Sequence, residues 1–394
     1  MVDVSLPLNT EPTPRDPTVL VVAGEVSGDI HAGNMLRELS AIRAGVRAYG
    51  VGGERLRSAG LETVATTDEL AHMGVIEVLR ELPKIRRIMA RLVEETARRR
   101  PDLAVLVDSP DFNLRLASRI RTLGIPVVLY VSPQLWAWRR GRVRTVGRLA
   151  REVLCILPFE VPFYEGYGVR SRYVGHPLVV EIARVNLLGS DVPRSEGCIG
   201  LLPGSRGMEV RQLLPVMVQT LRQLPDSMVR EAVLVEAPGM GDLIDGVLRN
   251  CGTDPRLRRI RGEERRDVLA GCALAWTASG TATLECALLG VPMVVGYRLQ
   301  PLSYAIAKLL VRVPNVALVN LIAGRTLVPE LLQKAWNPDR LAAETRELLD
   351  AGAEAQREGL TEVQRRLGGP GASRRAAEAV AEYLATGCSN GNPG

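Results

Sequence analysis

Residues 108–113 read Asp108-Ser109-Pro110-Asp111-Phe112-Asn113 and follow the apolar run 103–107. A carboxylate at the carboxyl end of a parallel strand can serve as general base toward a substrate hydroxyl. Asp108, at the strand end and ahead of Pro110, is the base candidate. Asp111 and Asn113 also fit helix capping or loop organisation. A second segment, Gly24-Glu25-Val26-Ser27-Gly28-Asp29, follows the apolar run 18–23. Strand, Gly-rich loop and helix start can hold a ligand on backbone N–H groups, with Gly24 and Gly28 in the loop. The loop is not G-x-G-x-x-G, and no Gly-Lys-Ser/Thr follows, so a nicotinamide dehydrogenase is disfavoured.

Two further turns lie in the second half. Gly204-Ser205-Arg206 joins a strand to a helix start. An Arg beside free helix N–H groups suits a diphosphate. Ser279-Gly280-Thr281 repeats that arrangement, and Glu285 falls four residues beyond Thr281, on the same helical face. There a carboxylate can take ribose hydroxyls while the helix N-terminus holds phosphate. Each turn alone is equally what ordinary helix capping looks like; two anion cradles and one inward Glu together fit a nucleotide-diphosphate sugar.

These loops need a scaffold. Apolar, β-branched runs predict strands over 18–23, 46–51, 103–108, 126–130, 153–157 and 172–174, with helices from about 32 and over 114–123. Residues 178–196 read as a linker. Strands then resume over 198–202, 232–236, 257–261, 273–277 and 293–295, and the chain reads mainly helical after 328. The expected fold is α/β: two Rossmann-like domains facing a central cleft, with a helical C-terminal tail. The expected divisions are a disordered Pro-rich tail over 1–16, an N-terminal domain over 17–180, a second domain over 195–345 and C-terminal helices over 346–386 that cross back.

Composition narrows the function classes. The 394 residues are 46% hydrophobic and 24% charged, an ordinary globular balance. The formal charge is +6, with 50 basic and 44 acidic residues, and only Lys84, Lys308 and Lys334 of the basic set are lysines. Aromatics are 4%, too few for stacking platforms, so no nucleic-acid partner is expected. The six cysteines show no C-x-x-C spacing and His31, His72 and His176 are far apart, so neither a disulfide framework nor a metal site is expected. No apolar run reaches membrane-spanning length. Ile85, Ile88, Met89, Leu92 and Val93 form one apolar helical stripe beyond Pro83, which reads as splitting the segment. Flanked by arginines, this stripe is a candidate membrane-surface face, as are Trp136 and Trp138 beside their Arg cluster. A packed crossover helix is the competing reading.

Taken as an ordered set, the chain resembles the lipid-A-disaccharide synthases, bacterial glycosyltransferases of the two-domain GT-B type. The carrying segments are 23–29 (AGEVSGD), 73–79 (MGVIEVL), 108–113 (DSPDFN), 130–139 (YVSPQLWAWR), 175–177 (GHP), 202–206 (LPGSR), 278–286 (ASGTATLEC), 292–298 (PMVVGYR) and 320–333 (NLIAGRTLVPELLQ). The resemblance implies a metal-independent, inverting transfer with no cofactor. The donor is UDP-2,3-diacylglucosamine, and the acceptor is the 6-hydroxyl of 2,3-diacylglucosamine 1-phosphate. It further implies a cytoplasmic protein held peripherally at the inner-membrane surface. Homodimers formed by exchange of C-terminal parts occur in the family and remain open here. Carried over residue by residue, Asp108 is the base and Glu25 and Ser27 line the acceptor side. Arg206, Ser279, Gly280 and Thr281 hold the diphosphate, and Glu285 the ribose. Asn320 and Arg325 lie in a loop over the nucleotide. The alternatives are another GT-B UDP-sugar enzyme or a non-catalytic nucleotide-sugar-binding peripheral membrane protein, for which Asp108 would be dispensable.

Overall fold

The computed structural model describes residues 16–71, 78–138, 140–187, 194–262, 264–300, 304 and 314–385. The expected N-terminal tail therefore lies outside the described residues, apart from Asp16.

One sheet contains β1 (Thr18–Ala23), β2 (Arg47–Gly52), β3 (Leu61–Thr66), β4 (Leu103–Val107), β5 (Val127–Tyr130), β6 (Glu152–Cys155) and β7 (Ser171–Tyr173), in the order β3-β2-β1-β4-β5-β6-β7. A second contains β8 (Ser195–Leu202), β9 (Glu231–Val235), β10 (Leu257–Ile260), β11 (Cys272–Ala278), β12 (Met293–Tyr297) and β13 (Glu330–Leu332), in the order β10-β9-β8-β11-β12-β13. Strands β3 to β6 pair in parallel, as do all neighbours of the second sheet. Parallel strands are covered on both faces, which is why β4 (LAVLV) is apolar throughout and β1 (TVLVVA) is apolar after Thr18.

The chain divides into two compact units. Of the described residues, one takes in those up to Pro133, those of Val146–Leu154 and those from Ser373 on; the other holds those of Gln134–Thr145 and Cys155–Ala372. Within the second unit, β8 sends Ile199 and Leu201 to one core and Cys198 and Leu202 to the other. In β11, Cys272 and Leu274 lie in different cores although two residues apart. The register shift between them accounts for that change of face. Trp276 is fully buried, and its indole N–H donates to Thr345 Oγ1 at 2.9 Å.

Several sequence expectations are corrected. The helix Val78–Arg99 runs through Pro83, which costs an early turn one hydrogen bond without ending the helix. Its stripe faces inward: Ile88, Met89 and Leu92 are buried, so they form core rather than a membrane face. Trp136 is also core. Its indole donates to Glu160 Oε1 at 3.1 Å, and its ring meets Phe159 edge-on at 4.9 Å. The region expected to be a linker contains the helix Leu178–Leu187, anchored by Leu178, Val179 and Ile182. Strands β3 and β13 were not foreseen; Gly60 ahead of β3 and Pro329 ahead of β13 hid their short runs. Segment 72–77 and Arg139 lie outside the described residues, as does the Trp138 side chain. Among the described residues, no helix is long and apolar enough to cross a membrane.

Leu92 is fully buried. Leu92→Ala therefore lowers the unfolding free energy by about 2–5 kcal/mol. Denaturant melts of the two proteins check this; an unchanged midpoint would return the stripe to the surface.

Candidate functional site

Each sheet reverses its winding between two adjacent strands: β1 and β4 in the first, β8 and β11 in the second. Loops leaving the carboxyl ends of such a pair diverge to opposite faces and leave a crevice between them. The four candidate loops are the ones that leave these four strands.

In the first unit the loops after β1 and β4 meet. Asp108 and Ser109 both adopt left-handed backbone, with φ of 54° and 42°. Their strain is held by Asn113, whose amide donates to the carbonyls of Val107 at 3.1 Å and Asp108 at 2.7 Å. Asn113 is buried in the helix Pro110–Arg121 and serves the backbone, and its Oδ1 has no hydrogen-bond partner among the described residues. This helix begins four residues earlier than its periodicity suggests, with Ser109 as N-cap and Asp111 in the first turn. Asp111 is exposed.

The Asp108 carboxylate is oriented on both oxygens. The Ser109 N–H donates to Oδ1 at 2.9 Å, and the Ser27 hydroxyl to Oδ2 at 3.3 Å. The Ser109 hydroxyl donates to Glu25 Oε1 at 3.5 Å. Glu25 and Ser27 are exposed, whereas Gly24 and Gly28 are buried beneath them. A Cβ on Gly24 would stand 2.4 Å from Ser109 Oγ, so glycine permits this approach. Asp29, next in the loop, is structural: its carboxylate accepts the N–H groups of Gly53, Arg55 and Leu56 at the start of the helix Glu54–Ser58. An oriented, solvent-reachable carboxylate with two donors behind it is equipped to take a proton from a hydroxyl.

In the second unit, the turn after β8 already holds an anionic group. Glu209 Oε2 accepts from the N–H groups of Ser205 at 3.2 Å and Arg206 at 3.3 Å, while Oε1 accepts from Arg206 Nη1 at 3.0 Å. Gly204 has φ of 109°, and a Cβ there would fall 2.3 Å from Glu209 Oε2. These donors are thus aimed at carboxylate oxygens, the geometry a phosphate oxygen also uses. The Arg206 side chain is 81% exposed, free to follow a ligand. Tyr297, at the end of β12, titrates above its ordinary range; burial is the main cause, Glu209 adds to it and Arg206 opposes it.

The helix Thr281–Leu288 follows β11. Gly280, at φ 139°, is its N-cap, and no side chain among the described residues caps its first turn. Ser279 is tied down by its hydroxyl, which donates to the Val316 carbonyl at 2.9 Å. Glu285 Oε1 accepts from Arg266 Nε at 2.9 Å, and Arg265 Nε stands 3.7 Å from the same oxygen. Asn320 is fully buried. It donates to the Val328 carbonyl and Glu330 and accepts from the N–H groups of Leu327 and Val328, so it shapes the loop from within. Arg325 is exposed, 3.8 Å from Glu362.

Sequence reasoning missed Ser109, Glu209, Arg265 and Arg266. The adjacent arginines after β10 were the available signal for the last two.

The model of the lipid-A-disaccharide synthetase family matches residues 19–383. A lipid-A-disaccharide synthase of Anaeromyxobacter sp. (strain K) is 46% identical over 379 residues, covering 92% of this chain and 96% of the relative. Among solved structures, CalG4, the calicheamicin glycosyltransferase, aligns with a TM-score of 0.60 at 18% identity, covering 94% of this chain and 99% of its own. The S. aureus MnaA–UDP co-structure aligns with a TM-score of 0.63 at 11% identity, covering 93% and 96%. The fold is thus the α/β, two-domain, GT-B type with a helical C-terminal segment.

Because Asn113 donates to two carbonyls of a strained turn, Asn113→Ala removes that donor from both. The unfolding free energy should fall by about 1–3 kcal/mol. Equilibrium unfolding in urea measures this; equal stability would mean that the turn holds itself.

Proposed function

The chain belongs to the lipid-A-disaccharide synthetase family, and we propose that it joins UDP-2,3-diacylglucosamine to 2,3-diacylglucosamine 1-phosphate with inversion at the anomeric carbon. It is a UDP-sugar glycosyltransferase. The observation that carries the finer reading is the Asp108 carboxylate, held by Ser27 and the Ser109 N–H at the carboxyl edge of β4.

In this reading the 6-hydroxyl of the acceptor gives its proton to Asp108. Its oxygen forms a bond to the anomeric carbon of the donor as the bond from that carbon to the diphosphate breaks. The electron pair leaves on UDP. Inversion follows because one displacement occurs from the face opposite the leaving group. Glu25 and Ser27 contact the acceptor, and Ser27 keeps Asp108 aimed.

The second unit holds the donor. The diphosphate takes over from Glu209 the N–H groups of Ser205 and Arg206 and the Arg206 guanidinium. It also meets the uncapped first turn opened by Ser279, Gly280 and Thr281. Fixed donors of this kind stabilise a leaving anion by roughly 2.7–4 kcal/mol each. Glu285 takes the ribose. Asn320 supports the loop carrying Arg325, which reaches over the nucleotide. Acylated substrates place the work at the cytoplasmic membrane surface, since each CH₂ left in water costs about 0.8 kcal/mol. The described Ile88, Met89, Leu92 and Trp136 supply no part of that attachment.

Asp108→Asn keeps size and removes the base, and should lower kcat by about 10²–10⁴-fold with the fold intact. Arg206→Ala should lower kcat by about 10²–10³-fold. UDP release from purified protein in detergent, with and without acceptor and in EDTA, measures both. A folded, fully active Asp108→Asn protein would sink the assignment. Release without acceptor would point to hydrolysis instead.

A further inference from the structure

Glu285 does not stand alone. Arg266 donates through Nε to Glu285 Oε1 at 2.9 Å, and through Nη2 to Glu181 Oε2 on the helix Leu178–Leu187. Three elements thereby meet at one guanidinium: the helix after β11, the helix Arg265–Ala270 after β10, and Leu178–Leu187. A guanidinium is a rigid planar fork, so holding it by two edges fixes its plane and the carboxylate it grips. Its side chain is 18% exposed and that of Glu285 12%, so water competes little for this bond.

The same guanidinium lines a cavity of about 460 Å³ at the carboxyl edge of β9 and β10, together with Glu236, Pro238, Arg261, Gly262 and Arg265. Arg265 and Arg266 both approach Oε1 of Glu285. The other oxygen, Oε2, accepts no hydrogen bond among the described residues. Burial lowers the pKa of Arg266, but hydrogen bonds to Glu285 and Glu181 outweigh it, so the group stays cationic. An ion pair serving only stability would gain from engaging both carboxylate oxygens. Here, among the described residues, Oε1 takes the hydrogen bond from Arg266 and Oε2 takes none.

We propose that Arg266 is a positioning residue for the nucleotide's ribose: anchored by Glu181, it occupies Glu285 Oε1 and turns Oε2 outward to accept a ribose hydroxyl. This rests on the reading of Glu285 as the ribose carboxylate. Arg266 acts through Glu285 and makes no contact with the reacting atoms. Hydrogen bonds to a charged acceptor are worth about 10–100-fold in affinity, and without the fork the carboxylate rotates and that selectivity disperses.

The test is calorimetric titration of the full chain with UDP, 2′-deoxy-UDP and 3′-deoxy-UDP. The wild type should bind UDP about 10–100-fold more tightly than at least one deoxy analogue. Arg266→Gln should bring that ratio to within about 3-fold, and so should Arg266→Lys, which keeps the charge but not the fork. Circular dichroism verifies folding, and if Arg266→Gln does not fold, Arg266→Lys decides. A variant that weakens all three ligands equally while keeping the wild-type ratio overturns the proposal and leaves Arg266 a structural ion pair. A wild type that does not discriminate, or a Glu285→Gln protein that still does, overturns the ribose reading itself and the proposal with it.

Discussion

An open parallel sheet leaves a crevice for binding loops where adjacent strands send their connections to opposite faces. In this chain that happens between β1 and β4 and between β8 and β11. Register, burial and loop placement all follow from it. β1 and β4 pair from Val19 with Leu103 to Ala23 with Val107, so both end at one level. Their next residues, Gly24 and Asp108, therefore begin loops side by side. β8 and β11 do the same from Leu274 with Ile199 to Thr277 with Leu202. The fully apolar strands are the cost of a sheet covered on both faces, and they leave polar chemistry to the strand ends.

At those ends, much of the polar side-chain capacity is spent on backbone. Asn113 holds the left-handed turn that aims Asp108. Asp29 caps a neighbouring helix with three accepted hydrogen bonds. Asn320 is saturated inside its loop. Buried polar groups must find partners, and a loop at a sheet edge offers many unpaired N–H and C=O groups. Rigid supports behind exposed groups such as Ser27 and Arg206 are what an electrostatically preorganised site requires.

Most strands of the two sheets were legible because parallel strands write continuous apolar runs; β3 and β13 were not. β1 is predicted to the residue, and β4, β5, β8 and β11 to within a few. The site segments were legible because they follow such runs directly: Asp108, Arg206, Ser279 to Thr281 and Glu285 stand out from strand, turn and residue type. Asn320 did not. Its role depends on Leu327, Val328 and Glu330, which local periodicity does not link to it. The stripe of Ile88, Met89 and Leu92 was correctly read as a helix face, but a core-facing and a membrane-facing stripe have the same period. Neither Pro83 nor the polar residues of 178–187 break a helix here, since tertiary packing holds Val78–Arg99 and Leu178–Leu187 together.

The sequence by itself determined the alternation of strands and helices, the two-unit α/β fold class and the four loops bearing reactive residue types. Those properties are local: hydrophobic period, turn residues and helix-start chemistry lie within a few positions of each other. Only the tertiary structure decided which polar groups turn into the fold and which stay exposed at the strand ends. It turned Asn113 and Asn320 inward, put Glu209 among the donors of the Arg206 turn, and joined Glu181, Arg266 and Glu285 across 85 and 19 residues of chain. Burial and long-range hydrogen bonding set those assignments, and neither is encoded in the spacing of neighbouring residues.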